Sequence, residues 1–243
     1  MSHHLVEAES LRHVWPDGTV ALDGVTFRIT HGEAVGVVGA NGAGKSTLLL
    51  HLAGALVPRE GSVRVGDVPV TRTTLETVRR AVGTVFQDPD DQLFLPTVRD
   101  DVAFGPLNLG LPHEDVESRV ASALDAVDAG PLAPRAPWRL SGGEKRRVAI
   151  ATVLAMKPDV LVLDEPSSGL DPRSRREVID LLKAFRHTRV VATHDLDLVL
   201  DVCERTIVLD RGRVAADGPT RDLLADDALL ARCRLERPLS LRS

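Results

Sequence analysis

Cysteine is scarce: Cys203 and Cys233 are the two in 243 residues. No CxxC pair or His-rich spacing accompanies them, so neither a disulfide framework nor a zinc site is indicated. Both read as reduced cytosolic thiols. Long hydrophobic runs are missing too. A bilayer span needs roughly 18 or more consecutive apolar residues, and no such run occurs. The first residues carry no basic segment followed by an apolar stretch, so a chain without a signal peptide is expected. Positive charge is not in excess: Lys and Arg total 30 against 35 Asp and Glu, for a net charge of -5. A nucleic-acid binder takes its affinity from neutralising phosphates, so no nucleic-acid partner is expected, although a local basic patch stays open. Internal repeats and low-complexity tracts are absent. His3 and His4 could ligate a metal, but no Cys or carboxylate cluster completes a site, and they read as a solvated tail.

What the chain does have is core material, 43% hydrophobic residues. The length suits one large α/β domain, or such a domain with a subdomain inserted. Residues 5–29 alternate in short β-like runs around a turn at Pro16, Asp17 and Gly18, which predicts an antiparallel hairpin. The compact apolar run 34–39 suits a buried parallel strand. A helix is expected over 46–56, and β alternation returns over 61–70. From about 88 to 157 prolines separate helical segments at 114–128 and 143–156, which predicts a mostly helical insertion. Further buried strands are expected at 160–163, 190–193 and 206–209, with a helix over 172–186 and a charged helical tail after 219. The division is therefore 5–87 with 158–220 as core and β subdomain, 88–157 as helical subdomain, and 221–243 as tail.

Gly39, Ala40, Asn41, Gly42, Ala43, Gly44, Lys45, Ser46 and Thr47 fit G-x-x-x-x-G-K-[ST] where a strand gives way to a helix. This pattern is a phosphate-binding loop for a nucleoside triphosphate. Its glycines let backbone N–H groups approach phosphates without a Cβ in the way, and the helix N-terminus adds about half a positive charge. Lys45 is expected to reach the β- and γ-phosphates, Ser46 to ligate Mg²⁺, and Thr47 to hold the α-phosphate side. A second Gly-rich element follows far downstream: Leu140, Ser141, Gly142, Gly143 and Glu144. It offers more backbone amides and a hydroxyl, but on a different loop. Two phosphate-seeking surfaces on one chain suggest a site closed between two copies of it.

The strand at 160–163 delivers Asp164 and Glu165. Asp164 is expected to support Mg²⁺. Glu165 is placed one residue beyond, as general base toward the attacking water. Solvated loop carboxylates are the alternative, disfavoured by the adjoining hydrophobic strand. His194 follows another strand and is expected to touch the γ-phosphate and orient Glu165 or the water, against a plain core or surface histidine. Gln87 follows the apolar stretch 82–86. Its amide oxygen is expected to reach Mg²⁺ or the lytic water, and its backbone to hinge the insertion. Trp15 is expected to stack on adenine, a contact that typically contributes about 1–3 kcal/mol. Packing into the hairpin is the other reading for Trp15, and His13 is the other candidate ring.

In order and spacing, the phosphate loop, Gln87, residues 140–144, Asp164-Glu165, the segment Ser168, Gly169, Leu170, Asp171, and His194 resemble the ATPase subunits of ABC transporters. The resemblance covers roughly residues 5–220. It implies an α/β fold: a RecA-like P-loop core with an N-terminal antiparallel β subdomain and an inserted helical subdomain. It implies ATP and Mg²⁺ as cofactors, and ATP hydrolysis coupled to transport. Two subunits, alike or different, are then expected to pair head-to-tail. Ser141, Gly142, Gly143 and Glu144 of one would cover ATP on the other's loop, and Asp171 would lie on the segment crossing the interface. An integral membrane coupling subunit and a substrate-binding membrane subunit are the implied partners, which places the chain peripherally on the cytoplasmic face of the cell membrane.

A narrower resemblance lies in Phe86, Gln87, Asp88, Pro89, Asp90, Asp91, Gln92, Leu93 and Phe94, then Thr97-Val98, 101–106 and 108–112. These look like the ATPases of energy-coupling-factor importers, which take up cobalt, nickel, biotin or other vitamins. The stretches 154–156 and 164–176 look most like the cobalt/nickel branch. Two departures stand out. The chain after Gly218 is shorter than the extension of many vitamin-type subunits, which puts a C-terminal dimer contact in doubt. Glu144 replaces the commoner Gln, so it can accept a hydrogen bond from a ribose hydroxyl but not donate one. Leu93, Phe94 and Leu95 are expected to line a groove for a coupling helix, because the neighbouring aspartates hold the stretch near the surface. Buried support of the helical subdomain is the alternative.

Other ATPases of the same superfamily fit less well. A DNA-repair or chromosome-handling member would carry a long heptad insertion or zinc-binding cysteines between the two nucleotide motifs. A ribosome-associated member would carry two such domains. A non-enzymatic regulatory subunit would lack Glu165 or the 140–144 element, and both are intact.

Overall fold

A computed structural model describes residues 4–242. The chain forms two compact units, Met1–Val82 with Asp159–Glu165 and Arg186–Ser243, and Gly83–Pro158 with Pro166–Phe185. The second unit includes 166–185, a stretch that the sequence pattern places with the core.

The first unit opens with β1 (His4–Val14) and β2 (Val20–Thr30), paired antiparallel across the turn at Pro16-Asp17-Gly18. His4 is thus the first residue of a strand and pairs with Thr30, which corrects the expectation of a tail. His3 lies outside the described residues. β4 (Glu60–Val65) and β5 (Val68–Pro69) complete a four-stranded sheet in the order β2-β1-β4-β5.

The other sheet of this unit is mostly parallel. β3 (Ala34–Val38) lies between β8 (Thr188–Ala192) and β9 (Arg205–Asp210), β7 (Val160–Asp164) flanks β8, and β10 (Arg213–Pro219) returns antiparallel on β9. All five residues of β3 are buried. A parallel strand covered on both faces reads as an unbroken apolar run rather than an alternating one, and Ala34-Val35-Gly36-Val37-Val38 does. Val35 and Val37 share one hydrophobic core with Leu11, Leu22 and Val25 of the antiparallel sheet and with Leu48 of α1 (Lys45–Leu52). Both sheets of this unit and its phosphate-loop helix are therefore built around a single apolar centre. α2 (Leu75–Ala81), α7 (Leu196–Val202), α8 (Thr220–Ala225) and α9 (Asp227–Arg232) complete the unit.

In the second unit β6 (Val82–Val85, its first residue at the boundary) leads to α3 (Val98–Asn108), α4 (His113–Asp125), α5 (Gly142–Leu154) and α6 (Pro172–Ala184). Side-chain caps start α3, α5 and α6. Thr97 accepts from Asp100 N, and Asp171 accepts from Arg173 N and Ser174 N. Such caps satisfy amides that the first helical turn leaves without partners. Among the described residues no helix is long and apolar enough to cross a membrane.

Candidate functional site

The loop between β3 and α1 is shaped by close backbone approaches. A Cβ on Gly39 would lie 2.4 Å from the Leu209 carbonyl oxygen. Gly44 has φ 107, and its Cβ would lie 2.4 Å from the Ala21 carbonyl oxygen. Any side chain at either position would have to displace backbone. Asn41 and Gly42 are exposed, Ala40 is half-buried, and Ala43 and Thr47 are buried. Lys45 is buried, and its Nζ donates to the Gly39 carbonyl at 2.8 Å. The ammonium therefore bridges the start and end of its own loop.

β7 brings Asp164 to the first turn of α1. The exposed Ser46 hydroxyl bonds its carboxyl, while the buried Oδ1 of Asp164 has no partner. Burial raises the pKa of this carboxyl. The Ser46 hydrogen bond opposes the rise, the Glu165 charge adds to it, and the Lys45 charge opposes it. An unpartnered buried carboxylate oxygen beside a hydroxyl is an oxygen donor set suited to a small hard cation such as Mg²⁺. Among the described residues no group of three or more His, Cys, Asp or Glu side chains forms a metal site of its own. A cation here would therefore complete its shell with phosphate oxygens and water, as Mg²⁺ commonly does.

Glu165 adopts φ 47, a left-handed backbone that an L-residue holds only at a cost of about 1–3 kcal/mol. Its amide still donates to Ala192 O at 2.8 Å. Its carboxylate accepts from the Thr193 hydroxyl at 2.8 Å and from the His194 amide at 3.1 Å, and His194 Nδ1 stands 2.8 Å from Oε2. The structure thus brings Glu165 and His194 together, with the carboxylate buried and the imidazole mostly in solvent. Thr193 was missed by sequence reasoning. A hydroxyl at the end of a strand directly before His194 is the signal that would have found it.

Trp15, half-buried on the first unit, meets His13 edge-on with ring centroids 4.6 Å apart. His13 in turn meets the fully buried His51 of α1.

The remaining predicted residues belong to the second unit. Ser141 and Glu144 form a capping box on α5. Ser141 N and Oγ donate to Glu144 Oε2 at 2.8 and 2.9 Å, and Glu144 N donates to Ser141 Oγ. The S-x-x-E spacing is the sequence signature of this motif, and it gives the Glu at this position a structural task. The Ser141 amide, with Arg135 nearby, holds the Glu144 carboxyl below its ordinary pKa. Gly142 is exposed and Gly143 buried. A Cβ on Gly143 would lie 2.3 Å from Ser174 Oγ, so this glycine lets the start of α6 approach. Ser174 Oγ donates to Asp171 Oδ2 at 2.6 Å.

Gln87 is exposed. Its carbonyl and that of Phe86 accept from the buried guanidinium of Arg146 at 2.5 and 2.7 Å. The stretch beyond it divides. Phe94 is 60% exposed and packs edge-on with Phe104, whereas Leu93 is buried and Leu95 half-buried. Leu93 is a core residue, which corrects its expected place in a groove. Its neighbour Phe94 keeps the surface position because Asp101 Oδ1 accepts the Phe94 and Leu95 amides and fixes the turn.

A glycine-framed loop running from a buried parallel strand into a helix, with a carboxylate strand beside it, defines a P-loop nucleotide-hydrolase fold. Residues 22–168 match the ABC transporter family model, and the chain belongs to that family as an ATP-hydrolysing subunit. A protein of Geobacter sulfurreducens, provisionally named an ABC transporter ATP-binding protein, is 68% identical over all of this chain and 97% of its own length. The energy-coupling factor transporter ATP-binding protein of Methanothermobacter thermautotrophicus is 46% identical over 96% of this chain and 77% of its own. Among solved structures, CbiO1 of Clostridium perfringens, part of the ABC transporter complex cbiONQ, superposes with a TM-score of 0.84 at 38% identity, covering 95% and 94% of the two chains. The dimeric ATP-binding cassette MJ0796 bound to ADP and phosphate gives 0.80 at 30% identity, covering 89% and 99%.

Proposed function

We propose that this chain powers an energy-coupling-factor ABC importer by hydrolysing ATP, with cobalt or nickel ions as cargo. The observation that carries the chemistry is the Asp164–Glu165 pair: one carboxylate with an unpartnered oxygen beside Ser46, the next held by Thr193 and His194. The importer reading rests on the 86–112 motifs and on the names of the methanogen and clostridial relatives.

The amides of 39–44 and Lys45 hold the phosphates, Thr47 supports the α-phosphate side, and Trp15 stacks on the adenine. Ser46 and Asp164 would hold Mg²⁺, which when bound would screen the charge of the β- and γ-phosphates, and the Gln87 amide oxygen would serve a cation or the lytic water. Glu165 takes a proton from the attacking water, and His194 fixes the orientation of that carboxylate and meets the γ-phosphate. Ser141, Gly142, Gly143 and Glu144 of a second copy, or of a related subunit, close over the nucleotide, so that ATP forms part of a head-to-tail interface. Closure excludes water and completes the site. Loss of the γ-phosphate then weakens the interface, and the helical unit passes the change to an integral membrane coupling subunit that works with a substrate-binding membrane subunit. The chain acts peripherally on the cytoplasmic face of the membrane.

Two measurements test this. Pull-down from detergent-solubilised membranes is expected to recover integral membrane proteins, and recovery of ribosomes or DNA alone would overturn the importer. Uptake of labelled Co²⁺ and Ni²⁺ is expected to fall in cells lacking the subunit. Unchanged metal uptake with a fall in biotin or another vitamin would move the cargo to the vitamin class.

A further inference from the structure

Three rings stand in a row in the first unit. Trp15 meets His13 at 4.6 Å between centroids with an interplanar angle of 76°, and His13 meets His51 at 5.0 Å and 71°. The two imidazoles are also joined by a hydrogen bond of 3.1 Å between His51 Nε2 and His13 Nδ1, one ring donating and the other accepting. His51 has no exposed surface and lies on α1, the helix that starts at Lys45. His13 lies on β1, and Trp15 follows at the head of a turn closed by Gly18 N donating to Trp15 O and by Trp15 N donating to Thr19 O. The backbone of the turn is fixed by its own bonds, and the indole and the His13 imidazole meet edge-to-face.

We propose that His13 and His51 are positioning residues for the base platform: the helix behind the phosphate loop sets the angle of the Trp15 ring through two hydrogen-bonded imidazoles. In this role neither histidine needs to touch the nucleotide. The chain of contacts ties the ring that receives the base to the helix whose first turn receives the phosphates, so both ends of one ligand are registered on one rigid element. An edge-to-face contact is directional, because the positive ring edge seeks the negative face. Losing the His51 partner frees the His13 ring, and with it the support of the indole. The proposal rests on the reading of Trp15 as the adenine platform.

The test is a double-mutant cycle in the full chain carrying Trp138→Phe, which leaves Trp15 as the sole tryptophan reporter. Affinity is measured for Mg-ATP and for magnesium tripolyphosphate, which has no base. Base stacking typically contributes about 1–3 kcal/mol, or roughly 5- to 150-fold in affinity. His51→Leu is expected to weaken ATP by about three- to tenfold, a part of that range, and to change the near-ultraviolet dichroism of Trp15. Tripolyphosphate binding is expected to stay within about twofold of the parent. His51→Gln, which keeps a hydrogen-bonding group, is expected to restore most of the ATP affinity. His13→Ala, at a half-buried position, repeats the test where His51→Leu fails to fold. In a Trp15→Ala background neither substitution is expected to weaken ATP further.

Equal loss of ATP and tripolyphosphate would show His51 acting through the phosphate loop and would overturn the proposal. So would additive loss in the Trp15→Ala background. A Trp15→Ala variant with parental ATP affinity would instead remove the platform reading itself. Trp15→Ala weakening ATP while His51→Leu and His13→Ala do not would leave that reading standing and reject the relay alone.

Discussion

Acid is expected to destabilise this protein through His51. Burial, and then the neighbouring His13, pushes the pKa of the ring from 6.5 down to about 4. In the unfolded chain the ring titrates at about 6.5. At pH 5 the unfolded chain therefore carries a proton on this residue and the folded chain does not. Because the unfolded state binds more protons, stability falls as pH falls through the window from about 6.5 to about 4. Linkage over that interval gives about 2 kcal/mol at pH 5 and a limit of about 3.4 kcal/mol below pH 4, the latter from about 1.36 kcal/mol per pH unit over an offset of about 2.5. Against a typical domain stability of about 5–15 kcal/mol this is a large fraction.

The assay is urea unfolding of the parent and of His51→Gln at pH 7.5 and pH 5. Carboxylates act on both proteins alike. Glu33 and Asp197, held low, lose their stabilisation as the pH drops, while the raised Asp164 acts the other way. The difference between the two pH-dependent losses reports the His51 ring together with its bonded neighbour His13, whose pKa burial also lowers. The parent is expected to lose about 2 kcal/mol more than the glutamine variant. Equal losses would refute a neutral, desolvated imidazole behind the phosphate loop.

Glu165→Gln is expected to bind Mg-ATP while steady-state phosphate release falls by roughly 10²- to 10⁴-fold, the range typical for loss of a general base. Parental turnover would remove Glu165 from that role. Gly143→Ala is expected to lower stability by about 1–3 kcal/mol through overpacking against Ser174, measured as a thermal shift and partly reversed by adding Ser174→Gly. Glu144→Gln is expected to cost about 0.3–1 kcal/mol near neutral pH, where the ionised carboxylate interacts with the start of α5. The Glu144 carboxyl is held below its ordinary pKa, so its contribution is present above that value and lost as pH falls through the folded one. Denaturation curves of the two proteins are expected to converge in acid.

The buried strands were legible because a parallel strand covered on both faces leaves an unbroken apolar run, as at 34–38 and 160–163. The phosphate loop was legible because its chemistry demands glycines and a lysine at fixed spacing. α3 was hidden by Pro106, one of the prolines that read as breaks, although the helix continues through it. β10 was hidden for the opposite reason. It has few branched residues and is partly exposed, so its sequence carries little strand pattern. The hydroxyl before His194 marks Thr193 as a candidate, but the partners that organise the site were beyond local reading. Thr193 meets Glu165 across 28 residues and His51 meets His13 across 38. Pairings of that kind are made by the fold and leave no periodic trace in the chain.

Arg146 has a consequence for local motion. The stretch 86–92 has exposed side chains at Phe86 and Gln87, and a surface loop of this kind ordinarily opens at little free-energy cost. Here Arg146 holds two successive carbonyls, Lys145 pairs with Asp90, and Gln92 Nε2 donates to Ala149 O and Thr152 Oγ1. All of these partners lie on α5. The loop can unfold locally only by giving up its bonds to the helix that begins at the Ser141 cap. Its amide protons are therefore expected to exchange with solvent on the slow timescale of α5, so that a surface segment and a buried helix behave as one cooperative unit.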